Sequence, residues 1–234
     1  MNKIFQKNYL KDGCCYCTEP MKIKLCGFTD KKSIEFALKY KPDLMGFVFY
    51  ASSKRNINLI KAKEFAHINF GATKKVAIIV NDSDPNISKI IENLKPDLLQ
   101  LHGEESFERC FQIKKMFKLP IIKAIAIADK FSIDRIQKDV ERYQKISDFL
   151  LFDAKTSEKG GAGIQFNWDL LSKLKIEREY FLSGGIDINN IGGAGSLSKN
   201  IILDLSSGIE ERKGIKSLKK IKNLMEFFNE IRKT

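Results

Sequence analysis

The chain has 234 residues, of which 43% are hydrophobic and 30% charged. This composition is typical of a globular protein with enough apolar material for a sizeable core, and it excludes a disordered chain. No apolar run approaches the roughly 18 residues of a membrane span, and the first residues contain no stretch apolar enough for a secretory signal. We therefore expect a cytoplasmic protein that does not bind a membrane.

The formal net charge is +12, from 41 Lys and Arg against 29 Asp and Glu. One interpretation is a nucleic-acid-binding protein, which would carry a contiguous basic face with base-stacking aromatic residues. The basic residues are instead spread along the chain, and several of the 17 phenylalanines fall within predicted core patterns. We expect no nucleic-acid partner, and the positive charge favours anionic small molecules.

Residues 1–20 precede the first predicted strand, and Met21 stands directly before that strand. We expect these twenty residues to form a disordered extension and residues 21–234 to form the folded domain. The extension holds three of the five cysteines, in the stretch "CCYC". An odd cysteine count argues against a disulfide framework, and a structural zinc site would need a second pair of Cys or His ligands. No metal is expected.

Eight short apolar runs recur along the chain at intervals of about 21 to 31 residues. Continuous apolar runs of this length are typical of strands that are buried on both faces of a parallel sheet. The predicted strands are Lys22–Leu25, Leu44–Phe49, Lys75–Val80, Leu98–Leu101, Ile121–Ile127, Phe149–Phe152, Tyr180–Leu182 and Ile201–Leu205.

Amphipathic stretches such as "DKKSIEFALKY" and "NISKIIENL" separate the strands, and they predict helices. Asp30, Asp84 and Asp187 are well placed to begin helices. The stretch "NNIGGAGSLSKN" holds three glycines, each costing up to about 1 kcal/mol relative to alanine in a helix, so a short helix is expected there. Alternating strands and helices predict a single-domain (β/α)₈ barrel. The alternative, an open dinucleotide-binding sheet, lacks its G-x-G-x-x-G motif after the first strand.

Polar and glycine-rich segments follow several predicted strands, at the end of a barrel where active sites lie. "SGG" (183–185) and "SSG" (206–208) follow the last two strands, where barrels often bind phosphate through backbone N–H groups. Two ordinary glycine turns are the alternative interpretation. The residues in question are Gly184, Gly185, Ser206 and Ser207.

Cys26 and Asp153 are the candidate catalytic pair, because they end the first and sixth strands. A thiolate is a good base or nucleophile, and a carboxyl group can protonate a leaving oxygen. The alternatives are a small core residue and a turn cap. Arg55, after the second strand, can bind a carboxylate through two hydrogen bonds, or it lies on the surface. His102, one of only two histidines, follows the fourth strand and contacts a substrate oxygen or has a structural role.

Six segments in order resemble the phosphoribosylanthranilate isomerase family of tryptophan biosynthesis. They are "KIKLCGFTD", "GFVFYASSKRNI", "LLQLHGEE", "LLFDAKT…GGAGIQFNW", "FLSGGIDINNI" and "ILDLSSGIEERKG". Each motif is short, but their ordered combination from about residue 21 to the C-terminus is specific. The resemblance implies a (β/α)₈ barrel that catalyses an Amadori rearrangement, an aldose–ketose isomerisation, without a cofactor. The implied substrate is N-(5-phosphoribosyl)anthranilate.

The resemblance also implies roles for single residues. Cys26 would be the general base, Asp153 the general acid, and Arg55 the residue that binds the anthranilate carboxylate. Asp204 would lie beside the phosphate loops. The chain departs from the family in Ala154, where Ser or Thr is common, and in the missing lysine of "GIQFNW".

Two other enzymes with phosphosugar substrates remain as alternatives. A pentose-phosphate epimerase would need a histidine-rich metal site, which two histidines do not supply. The histidine-pathway isomerase has an aspartate where Cys26 stands. The oligomeric state, monomer or homodimer, is left open.

Overall fold

The computed structural model describes residues 21–128, 131–154, 166–198 and 200–232, with the backbone alone at 195 and 196. The predictions for residues 1–20 and for most of the segment after the sixth strand lie outside these described residues.

Eight parallel strands form a closed barrel in chain order, so that the first strand pairs with the eighth. The predicted fold is confirmed. Five strands have their predicted bounds, and the other three differ by one or two residues. The strands are β1 (Lys22–Cys26), β2 (Leu44–Phe49), β3 (Lys74–Ile79), β4 (Leu98–Leu101), β5 (Ile121–Ile127), β6 (Phe149–Ala154), β7 (Tyr180–Leu182) and β8 (Ile201–Leu205).

Helices cover the outside of the barrel. They are α1 (Lys31–Leu38), α2 (Leu59–Ala66), α3 (Asp84–Leu94), α4 (Phe107–Phe117), α5 (Ile133–Tyr143), α6 (Ile191–Ser196) and α7 (Leu218–Ile231). Between β6 and β7 the described helical segment is a 3₁₀ helix, Trp168–Lys173. After β8, a 3₁₀ turn (Ser207–Ile209) leads into a hairpin of β9 (Glu210–Arg212) and β10 (Ile215–Lys216).

The predicted helix starts are confirmed only in part. Asp30 caps α1 as predicted, because its carboxylate accepts the N–H of Ser33 at 2.8 Å. Asp84 is the first residue of α3. The prediction for Asp187 was wrong, since α6 begins at Ile191 after the cap residue Asn190. The six residues of α6 agree with the short helix expected from its glycines.

The apolar residues form two layers, one between the sheet and the helices and one inside the barrel. The inner layer is mixed with polar side chains. Lys24 on β1 reaches Gln100 on β4, a strand that is not its neighbour, so its side chain crosses the barrel interior. Within the described ranges, the helices are all too short or too polar to cross a membrane.

Candidate active site

Cys26 is the last residue of β1 and pairs in register with Gly46 on β2. A Cβ atom at position 46 would lie 2.8 Å from the Cys26 Sγ atom and 3.2 Å from Cε of Lys24. A contact of 2.8 Å is shorter than real Cβ atoms make, so a glycine at position 46 makes room for the thiol. Sequence analysis did not single out Gly46, because its role depends on the neighbouring strand.

A single cavity at the carboxyl end of the barrel brings together six of the nine predicted site residues. Cys26 and Asp153 both line it, from two strands that are not adjacent. The other predicted residues along its wall are Arg55, His102, Asp204 and Ser206.

Asp153 lies within β6 and is 7% exposed. Its Oδ1 atom accepts the N–H of Ala154 at 3.0 Å. Its Oδ2 atom lies 3.4 Å from Nε2 of His102. The carboxyl group is therefore oriented by a backbone donor on one side and by an imidazole on the other.

A chain of polar contacts continues from His102 into the barrel. The Nδ1 atom of His102 lies 2.8 Å from Nε2 of Gln100. Oε1 of Gln100 accepts a hydrogen bond from Nζ of Lys24 at 2.6 Å, and the same ammonium group lies 2.9 Å from Oδ2 of Asp204. Sequence analysis missed Lys24 and Gln100, although a lysine within a strand predicted to be buried on both faces was an available signal.

The charges around Cys26 have opposing effects on its thiol. Burial raises the pKa of Cys26 above its ordinary value, while the nearby cation of Lys24 lowers it. Burial alone would lower the pKa of Lys24, but the negative charges of Asp204 and of an ionised Cys26 outweigh that effect and raise it. The lysine is therefore charged, and the thiol is protonated at neutral pH when no substrate is bound.

Arg55 is 3% exposed, so the interpretation as a surface arginine was wrong. Its Nε and Nη2 atoms each donate to a different carboxylate oxygen of Glu210, both at 2.7 Å. Lys216 donates to the same carboxylate at 3.0 Å. Burial would raise the pKa of Glu210, but the hydrogen bond from Arg55 and the charge of Lys216 lower it. The hairpin that supplies Glu210 and Lys216 was not predicted.

The two predicted phosphate loops touch each other. Gly184 and Gly185 have φ angles of +93° and +68°, which only glycine adopts readily. A Cβ at Gly208 would lie 2.2 Å from the carbonyl oxygen of Ile186, so the loops pack against each other. Gly185 and Ser207 line a depression of about 310 Å³.

Ser206 and Asp204 both line the Cys26 cavity. The hydroxyl of Ser206 donates to the carbonyl of Cys26 at 3.1 Å. Asp204 is in β8, pairs with Lys24 and lines the Cys26 cavity rather than the depression between the two loops. Its Oδ1 atom is buried and forms no hydrogen bond with any described residue. In the described part of the chain, no group of three or more potential metal ligands occurs.

Comparison with known proteins identifies the family. The model of the family described as N-(5′-phosphoribosyl)anthranilate (PRA) isomerase matches residues 23–227. The chain belongs to this family. A curated relative of that name from Sinorhizobium fredii (strain NBRC 101917 / NGR234) is 38% identical over 218 residues, which cover 91% of this chain and 94% of the relative.

Solved structures agree with this assignment. A phosphoribosyl anthranilate isomerase from Thermotoga maritima is 28% identical, with a TM-score of 0.77, and the match covers 90% of this chain and 99% of that chain. Another isomerase of the same name was solved in complex with reduced 1-(o-carboxyphenylamino)-1-deoxyribulose 5-phosphate. It is 26% identical, with a TM-score of 0.74 and the same coverage of both chains. The predicted family, enzyme class and isomerase function in tryptophan biosynthesis are confirmed.

Proposed function

We propose that Cys26 is the general base and Asp153 the general acid of an Amadori rearrangement. The substrate is N-(5′-phosphoribosyl)anthranilate and the product 1-(2-carboxyphenylamino)-1-deoxyribulose 5-phosphate. The observation that carries this proposal is that both side chains line one cavity from separate strands, with the carboxyl group already oriented. A base and an acid on different sides of one pocket suit an isomerisation, since one proton is delivered and another is removed.

The acid acts first. Asp153 donates its proton to the ribose ring oxygen as the C1′–O bond breaks, and the nitrogen lone pair forms a C1′=N bond. The iminium cation produced makes the proton on C2′ acidic. The carboxylate left on Asp153 is stabilised by the N–H of Ala154 and by His102, which lies 3.4 Å away.

The base acts second. The thiolate of Cys26 removes the C2′ proton, and the enolamine that forms tautomerises to the ketone. Because burial keeps the resting thiol protonated, the thiolate has to be favoured once substrate is bound. The cations of Lys24, Lys216 and Arg55 favour it, and so does the iminium group of the substrate.

Arg55 is proposed to bind the anthranilate carboxylate. Arg55 lines the Cys26 cavity, and its planar guanidinium group matches a carboxylate in charge and in hydrogen-bond geometry. Asp204 is proposed to accept a hydrogen bond from a sugar hydroxyl through Oδ1, which is buried at the cavity without a partner among the described residues.

The phosphate group is proposed to bind at Gly184, Gly185, Ser206 and Ser207. The support is the contact between the two loops and the positive φ angles of both glycines, which direct backbone N–H groups in ways that other residues do not allow. The nearby Lys216 adds positive charge, since its ammonium group donates to the carbonyl of Ser206 at 3.0 Å.

Loss of substrate fluorescence on turnover tests these roles. We expect Cys26→Ser and Asp153→Asn each to lower kcat by at least about 100-fold, because general acid–base groups contribute roughly 10²- to 10⁴-fold. Circular dichroism checks that both variants fold. Cys110→Ser is the matched control, because Cys110 is also buried but lies outside the cavity. A folded Cys26→Ser or Asp153→Asn variant with the control's activity would contradict the assigned role.

The remaining proposals concern the whole protein. We propose a cytoplasmic enzyme with a folded domain over residues 21–234, present as a monomer or a homodimer. Sedimentation equilibrium of the purified protein distinguishes the two states.

A further inference from the structure

The hydrogen bonds that run from Lys24 through Gln100 to His102 have a fixed order of donors and acceptors. Lys24 is fully buried, and its ammonium group carries three donors and no acceptor. The amide atom of Gln100 that lies 2.6 Å from it must therefore be the carbonyl oxygen. The amide nitrogen of Gln100 then faces Nδ1 of His102 at 2.8 Å and donates to it.

This direction sets the protonation form of His102. A ring nitrogen that accepts a hydrogen bond carries no proton, so the single ring proton lies on Nε2. Nε2 is the atom that lies 3.4 Å from Oδ2 of Asp153. His102 is therefore a neutral ring that presents an N–H group to the general acid.

The neutral form suits the acid that it faces. An imidazolium ion beside Asp153 would hold the carboxyl group in its ionised form, which has no proton to give. A ring with its proton on Nδ1 would offer Asp153 only a lone pair and would stabilise the carboxylate left after proton transfer less well. A neutral Nε2–H donor lets Asp153 carry a proton and stabilises the carboxylate once that proton has moved.

We propose that Lys24 and Gln100 are positioning residues, which fix His102 in its neutral Nε2–H form and thereby support Asp153 as the acid. The proposal rests on the proposed function for the role of Asp153, but the state of His102 is independent of turnover. Lys24 does not line the cavity, so its effect on His102 passes through Gln100.

Gln100→Glu is the decisive variant, because it keeps the shape of the side chain and removes the donor. One carboxylate oxygen still accepts from Lys24, and the other can only accept from His102, so the ring has to place a proton on Nδ1. Nitrogen NMR of protein labelled with ¹⁵N-histidine reads this directly. The chain has only two histidines, and His102→Asn assigns their signals.

We expect the wild-type protein to show His102 protonated on Nε2 alone, and Gln100→Glu to show a proton on Nδ1. We expect kcat of this variant to fall by at least about tenfold with KM changed less than about threefold, as for a catalytic histidine in the wrong form. Lys24→Met frees the amide to rotate, so a mixture of ring forms is expected there. Lys22→Met is the matched control, because Lys22 is on the same strand and pairs with Glu179 at 2.8 Å, away from the cavity.

His102 protonated on Nδ1 in the wild-type protein would overturn the proposal. So would Nε2–H alone in a folded Gln100→Glu variant, or an equal loss of kcat in Gln100→Glu and Lys22→Met. If Lys24→Met fails to fold, Gln100→Glu still decides, since it retains a partner for Lys24. If His102 carries its proton on Nε2 as expected but Asp153→Asn keeps full activity, the His102 assignment stands. That result would contradict only the proposed acid.

Discussion

The thiol of Cys26 is accommodated because residue 46 has no side chain. The Sγ atom of Cys26, Cε of Lys24 and Cδ1 of Ile78 all lie between 2.8 and 3.2 Å from the place that a Cβ atom of residue 46 would occupy. One missing methyl group on β2 therefore determines where the proposed base lies.

Gly46→Ala tests this packing. The added methyl group has to displace the thiol, so we expect kcat to fall at least about tenfold, since a shift of about 1 Å in a reacting group can cost 10²-fold. Overpacking should also lower the free energy of unfolding by about 1–3 kcal/mol. Gly192→Ala is the control, because its Cβ would have no atom within 4 Å outside its chain neighbours and the backbone of its own helix. Unchanged kcat in a folded Gly46→Ala variant would show that the thiol does not need this space.

Burial of Cys26 predicts how its reactivity depends on pH. Burial raises the pKa of the thiol, so the reactive thiolate appears only at higher pH than in an unfolded chain. We expect alkylation of Cys26 by iodoacetamide in the substrate-free protein to have its pH midpoint above that of the same peptide after denaturation. Mass spectrometry of that peptide separates Cys26 from the other cysteines. A midpoint below the denatured value would mean that the surrounding cations outweigh burial.

The hairpin β9–β10 acts as a unit that joins Arg55 to the loop after β8. Glu210 binds Arg55 through both carboxylate oxygens, and Lys216 binds Glu210 and the carbonyl of Ser206. The carbonyl oxygen of Gly214 in its turn accepts the hydroxyl of Thr29 at 3.1 Å. The hairpin therefore holds the loops after β1, β2 and β8 in one arrangement.

Lys216 gives this element a pH-dependent stability. Burial lowers the pKa of Lys216 from 10.5 to about 8, although Glu210 opposes the change. Between these two values the unfolded chain binds more protons than the folded one, so rising pH stabilises the fold. We expect the wild-type protein to gain about 3 kcal/mol relative to Lys216→Met between pH 8 and 10.5. Urea unfolding at several pH values measures this difference.

The exposed Lys220 supplies the control for that experiment. It donates to the carbonyl of Glu210 at 2.7 Å. Lys220→Met should follow the pH dependence of the wild-type protein. If Lys216→Met follows it as well, the lysine titrates alike in the folded and unfolded chains, contrary to the prediction.

At the scale of the whole molecule, the barrel closes within residues 21–232. Lys22 on β1 pairs in register with Ile202 on β8, and Leu25 pairs with Leu205. The described ion pair of Lys22 is with Glu179, and Arg232 after the last helix binds Asp43 at 3.0 Å. These contacts join the two ends of the barrel without residues 1–20.

A chain that starts at Met21 should therefore retain the barrel and its activity. We expect its kcat to lie within about twofold of the full-length value and its melting temperature within a few degrees, because the described core and cavity are built from later residues. Turnover and calorimetry measure both. Loss of activity with the fold retained would assign a role to the first twenty residues.

The fold could be predicted from the sequence because each strand is a local apolar run with a regular spacing. The acid and base could be proposed because they end such runs. The buried ion pairs around the acid and base could not be predicted in the same way. Arg55 and Glu210 are 155 positions apart in the sequence, and Lys24 and Asp204 are 180 apart. Such pairs depend on the register and closure of the sheet. The turn at Asp187 was misassigned because Asp and Asn both favour helix starts.

The pairing of β1 with β8 has a consequence for synthesis of the protein. Lys24 emerges from the ribosome early, but Asp204 follows it 180 residues later. Ser206, whose hydroxyl binds the carbonyl of Cys26, follows Cys26 by the same number of residues. A nascent chain that lacks β8 has a lysine without its carboxylate and an open sheet edge beside the future base. Translation therefore has to reach the eighth strand before the enzyme can turn over its first substrate molecule.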